Sequence, residues 1–265
     1  MNLDPQKIVE YETVIPTCIQ SLSNVMPGIH AILRDDLVLI YSKDYPSADA
    51  NRAFLLRETP ERIDGLIDEV IAYFKERELP TTIMVSPACT PADLPRRLLK
   101  RGFVRQEPDE CWLMMEHIQT VKVPKTDPKI KVKLVEKEDL GAFVGTMIAA
   151  YEMTSEWAPM LEKMLEPSIG LPNINNYLAF LDQKPVATVT TMHHKEYVVV
   201  GSGGVLPEHR GTGLLYNLSI AALSQARDRG ADTVLAQTTA GPKFERFLRI
   251  CGLKQAFKRQ GYILE

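Results

Sequence analysis

Two stretches of this chain repeat each other at an offset of 150 residues, and that repeat constrains the fold more than any other feature. Gly102-Phe103 closes an amphipathic segment at 96–101, and Gly252-Leu253 closes another at 246–251. A glycine just past the last periodic residue is a common helix stop. Ten residues beyond each glycine begins a short apolar strand, Trp112-Leu113-Met114-Met115 in one stretch and Tyr262-Ile263-Leu264 in the other. Further back, Ile83-Met84-Val85 matches Thr233-Val234-Leu235, and each is followed by a turn-rich stretch. Earlier still, Ile63, Leu66, Ile67, Val70, Ile71 and Phe74 recur at i, i+3, i+4, i+7, i+8 and i+11, the period of a half-buried helix. That helix corresponds to residues 214–227, and a strand precedes each: 53–56 and 203–206. Residues 53–115 and 203–265 therefore share the order strand, helix, strand, helix, strand with no gap.

The repeat predicts two copies of one α/β unit, an α+β arrangement on a mixed sheet. Residues 120–133 carry two prolines and five lysines with no helical period, which suits a linker. The expected division is a domain over 1–121, a linker over 122–129 and a second domain over 130–265. Each copy has roughly 130 residues, enough for its own core.

Composition narrows the function classes. The chain has 265 residues, 45% hydrophobic and 25% charged, which is globular rather than disordered. A net charge of −3 gives no bulk attraction to phosphate backbones or anionic lipid, so neither nucleic acid nor a membrane is an expected partner. The four cysteines are scattered, without metal-ligand spacing, so neither zinc, any other bound metal nor a disulfide scaffold is expected. The N-terminus has no basic-then-apolar leader pattern and no apolar run reaches ~18–20 residues, so the expected location is cytoplasmic. An oligomer is compatible with the sequence.

The copies differ at one loop. In the second, the strand ending at Val205-Leu206 runs through Pro207-Glu208-His209-Arg210-Gly211-Thr212-Gly213 into a helix opening at Leu214-Leu215. Two glycines at a strand-to-helix turn let backbone N–H groups point outward, and a helix start has unpaired donors and a positive dipole end. That combination suits a phosphate or pyrophosphate, with Arg210 adding a fork of donors. The equivalent stretch of the first copy, 57–63, has no glycine, loses a donor at Pro60 and carries Glu61.

At Arg210-Gly211-Thr212-Gly213 the sequence resembles the GNAT acetyltransferase superfamily, whose acyl-CoA signature is [R/Q]-x-x-G-x-[G/A] after a strand. The resemblance runs from about Ile130 to Glu265, with the first half similar to a degenerate copy. It implies acetyl-CoA as co-substrate, with the backbone at Val205 and Leu206 pairing the pantetheine arm. The N–H groups of Gly211, Thr212, Gly213, Leu214 and Leu215 would hold the pyrophosphate, and Thr238, Thr239 and Phe244 would flank the thioester. Three positions depart from the family pattern. Leu215 stands where Gly or Ala is usual, Leu248 where a tyrosine is frequent, and Val199 near the frequent strand carboxylate.

Acyl transfer to an amine needs a neutral nucleophile, positioning, and a donor for the oxyanion and departing thiolate. The N–H of Leu206 is the expected oxyanion donor. His193, His194 and Tyr197, around a hairpin, are candidates for deprotonation, against solvated hairpin-tip residues as the plainer alternative. Glu152 is a candidate for binding the ammonium, against an ordinary charged helix face. The expected activity is direct transfer of an acetyl group from acetyl-CoA to a primary amine of a small molecule or peptide. The alternative is a CoA-binding or metabolite-sensing module without turnover.

Overall fold

The structure, a computed structural model, describes residues 3–26, 28–241 and 244–264. In chain order the first copy gives α1 (Pro5–Ser21), β1 (His30–Leu33), β2 (Val38–Tyr41), β3 (Arg52–Phe54), α2 (Ile63–Lys75), β4 (Thr81–Val85), α3 (Leu94–Lys100) and β5 (Val104–Met115). The second gives β6 (Ile130–Leu134), α4 (Leu140–Ala150), α5 (Ala158–Leu165), β7 (Ile174–Leu181), β8 (Lys184–His194) and β9 (Tyr197–Val205). It continues with α6 (Leu214–Asp228), β10 (Thr233–Thr239), α7 (Phe244–Ile250) and β11 (Lys254–Leu264).

By contact the chain divides into one unit of residues 1–114 with 237–265 and another of 115–236. The division at 122–129 follows sequence likeness, and the contacts follow a different line because β11 has changed neighbours. In the first unit the strand order is β1-β2-β3-β4-β11-β5. The last strand of the second copy lies antiparallel between β4 and β5, with Tyr262 opposite both Ile83 and Arg105. β5 and β11 occupy the same place in the repeat, so either can satisfy the ladder along β4.

The core of this unit collects α2 residues Ile63, Leu66, Ile67, Val70 and Phe74 with Ile83, Leu94, Leu98 and Tyr262. α1, which lies ahead of the repeat, starts at Asp4, whose side chain accepts from the Gln6 N–H at 2.8 Å, and buries Ile8, Tyr11, Val14 and Cys18.

In the second unit the order is β10-β9-β8-β7-β6, antiparallel except for the parallel pair β9 and β10. Alternation along β7 sends Leu178 to one face, with Phe143, Val144 and Met147 of α4, and Tyr177 and Ala179 to the other, with Leu218 and Ala222 of α6. The two helices flank the strand that leads into the glycine turn.

Candidate active site

Among the described residues of the second unit, β9 is paired on both sides at its start and on one side at its end. It runs parallel to β10 across Tyr197–Val200 against Thr233–Ala236, and among the described residues of this unit the register with β10 ends at Val200. Its pairing with β8 continues to Val205, and Leu206 then donates to the Val186 carbonyl at 3.0 Å. Successive peptides of a strand point to opposite sides, so Val205 faces the open edge and Leu206 does not. The expected oxyanion donor is therefore corrected: the Leu206 N–H is consumed by β8.

A β-bulge lies on the same stretch. Thr190 faces Gly201 and Thr188 faces Gly204, which leaves one extra residue on β9, and Ser202 there takes φ 48°. Added atoms at Gly204 would collide with the end of α4, a Cβ meeting the Ala150 Cβ at 2.8 Å and the Tyr151 ring at 3.3 Å. Tyr151 donates its hydroxyl hydrogen to the Gly203 carbonyl at 3.1 Å. Tyr151 was no candidate in the sequence, because its nearness to β9 depends on a glycine 53 positions further on.

The open edge leads into the turn. Gly211 and Gly213 both sit in the left-handed region, at φ 81° and 82°, where a side chain would be strained. Among the described residues, the N–H groups of Gly211, Thr212, Gly213, Leu214 and Leu215 have no acceptor. The turn is braced from behind by Thr212, which donates to the His209 carbonyl at 2.6 Å, and by Asn217, which donates to the Gly213 carbonyl at 2.9 Å. Leu215 does not obstruct it: a Cβ on Gly203 would meet the Leu215 Cδ1 at 3.7 Å, so this side chain lies back against β9.

Arg210 is engaged elsewhere. Its guanidinium donates to the Ala150 carbonyl at 2.9 Å and approaches Glu152 at 3.4 Å, so it caps the end of α4 instead of adding donors to the turn. Glu152 itself has φ 56° and an exposed side chain. Thr238 and Thr239 end β10, and Phe244 opens α7, stacked on Phe247 with ring centroids 5.8 Å apart. All three are counted with the first unit.

His193, His194 and Tyr197 are not brought to the open edge. His194 is opposite Tyr197 in the ladder, five to six residues and about 16–20 Å from the bulge at ~3.3 Å per residue. His193 is buried against Thr191 at 3.1 Å, and burial, with the Arg229 charge adding, lowers its pKa to about 4. Distance thus sets His194 and Tyr197 apart from the open edge, and burial does so for His193.

The first copy has closed the equivalent edge. Thr90 donates to the Leu56 carbonyl at 3.0 Å and forms a bridge with Arg57, so the chain after β4 zips onto the end of β3. Ala240, 150 residues on from Thr90, donates instead to the Asp109 carbonyl at 2.6 Å.

The fold defines a class, and the solved structures that share it include N-acetyltransferases of the GNAT type. The chain matches a GCN5-related N-acetyltransferase from Kribbella flavida with a TM-score of 0.69 at 17% identity, covering 94% of this chain and 95% of that one. A GCN5-related N-acetyltransferase from Sphaerobacter thermophilus matches at 0.60 and 16%, covering 99% and 93%. A tandem GNAT protein from the clavulanic acid biosynthesis pathway matches at 0.59 and 13%, covering 86% and 77%. This chain thus has an α/β GNAT fold with two tandem units. No family model and no curated protein matches it. Among the described residues, no group of three or more His, Cys, Asp or Glu could hold a metal ion, and no helix is long and apolar enough to cross a membrane.

Proposed function

We propose that the second copy binds acetyl-CoA and transfers its acetyl group to a primary amine of a small molecule or peptide. The observation that carries this reading is the open edge of β9 running directly into the unpaired N–H groups of Gly211–Leu215. An extended arm with amide groups would add to such an edge as a further strand, and a pyrophosphate would accept from the turn. The fit depends on backbone donors, so the near-neutral charge of the chain is no obstacle. Val205, whose peptide faces the edge, is the donor left for charge developing on the carbonyl oxygen. The amine attacks the thioester carbonyl directly, since among the described residues no side chain at the edge is an activated covalent nucleophile. Thr238, Thr239 and Phe244 are assigned to the thioester end and Glu152 to the acceptor side.

A second reading, CoA binding without turnover, is favoured by the burial of apolar Leu248 and Val199 at two positions where the family often carries titratable groups. Calorimetry with acetyl-CoA, followed by thiol release with a panel of primary amines, separates the two. Binding with amine-dependent release supports transfer, and binding without release by any amine supports the module. Gly213→Glu places a side chain and a charge on the turn and is expected to abolish binding under both. Unchanged affinity in that variant refutes the anion turn.

A further inference from the structure

The hydroxyl of Tyr151 occupies the edge that the proposed reaction would use. It is bonded at 3.1 Å to the carbonyl of Gly203, in the bulge that follows the register of β9 with β10. Its ring packs against Gly204, where a Cβ would stand 3.3 Å from it. Besides its ladder with β8, the main chain from 201 to 205 accepts at the Ser202 carbonyl from the Thr188 hydroxyl, which comes from the β8 side and does not titrate at ordinary pH. Among the described residues, Tyr151 is the titratable side chain hydrogen-bonded to that stretch. The residue is 49% exposed, so a ligand laid on the edge meets the phenol. The charged groups beside it are Glu152 and Arg210, which face each other, and residues 201–205 bring none.

An amide N–H of an extended ligand can take over the Gly203 carbonyl, which releases the phenol toward the ligand without unfolding anything. We propose that Tyr151 is a catalytic residue that gives its proton to the leaving sulfur. This rests on the acyl-transfer reading above. The amine nitrogen forms the new N–C bond with its lone pair, and the C–S bond breaks with its electrons on sulfur. The phenolic proton goes to that sulfur and yields the free thiol. The proton lost by the amine nitrogen returns to the phenolate through water, so no further reactant is needed. Such a donor contributes on the order of 100-fold or more.

The test compares wild type with Tyr151→Phe by acetyl-CoA calorimetry and by thiol release with the amine panel. Kd and acceptor KM are expected to stay within about threefold while kcat falls on the order of 100-fold. Replacing Tyr151 with 3-fluorotyrosine, a more acidic phenol, is expected to keep turnover at neutral pH and move the alkaline fall of kcat to lower pH. A hydroxyl that merely holds the Gly203 carbonyl would not move that limb. A Tyr151→Phe enzyme with wild-type kcat, or one whose loss lies entirely in Kd, overturns the donor role and leaves acyl transfer standing. A wild-type chain that binds acetyl-CoA but releases thiol to no amine, or binds none at all, overturns the reading beneath it.

Discussion

Gly204 of β9 and Ala150 at the end of α4 approach so closely that a Cβ on the glycine would stand 2.8 Å from the alanine Cβ. Both atoms are fixed to main chain, so neither can swing away. Gly204→Ala is expected to cost about 1–3 kcal/mol, the usual range for overpacking, and to shift the end of α4 off the bulge. Urea denaturation measures the cost. Adding Ala150→Gly removes the opposing methyl and is expected to restore part of the loss, and a purely additive double variant would refute direct contact.

His193 makes stability depend on pH in a stated direction. Its unfolded pKa is near 6.5 and its folded pKa is about 4, lowered by burial and by the Arg229 charge. Between those values the unfolded state binds more protons, so stability falls as pH drops from about 6.5 toward 4. The contribution is complete above that window and amounts to roughly 3 kcal/mol at most. His193→Phe is expected to flatten this slope in denaturation midpoints taken across the window. An unchanged slope would show that His193 already titrates normally in the folded state.

A buried ion network ties β11 into the first unit. Arg259 is 3% exposed and contacts Glu12, at 0%, at 3.1 Å, and also Glu110. Burial raises the pKa of Glu12 despite Arg259, whereas at Glu110 burial is outweighed by Arg259 and Arg52, which hold that carboxyl below its ordinary range. Arg259→Met strands the Glu12 carboxylate and is expected to cost about 3–5 kcal/mol. The double variant with Glu12→Met should be more stable than Arg259→Met alone, as read by thermal unfolding.

The closed edge in the first copy sets a stoichiometry. With Thr90 bonded to Leu56 and bridged to Arg57, the end of β3 offers no open edge. Calorimetric titration with acetyl-CoA is expected to give one site per chain. Two sites would mean that the Thr90 contact opens.

Much of this was legible because it is written locally. The apolar period from Ile63 to Phe74 became α2, and the glycines at 102 and 252 followed α3 and α7. Gly211 and Gly213 adopt the left-handed backbone that a strand-to-helix turn of donors needs. Roles that depend on distance were not legible. His193, His194 and Tyr197 share a strand pair with the bulge but lie several residues along it, and the Leu206 N–H faces β8 because of a register the sequence does not state. The link from Arg210 to Ala150 spans 60 positions and had no local signal.

By itself the sequence determined the two copies, the order of their elements and the one copy that kept the turn, since periodicity and glycine placement act over a few residues. The tertiary structure alone decided that β11 enters the first unit between β4 and β5. Strands at the same place in two repeats present the same ladder and the same alternation. Partner choice between them is settled by distant packing such as the Arg259–Glu12 pair, which no local pattern contains.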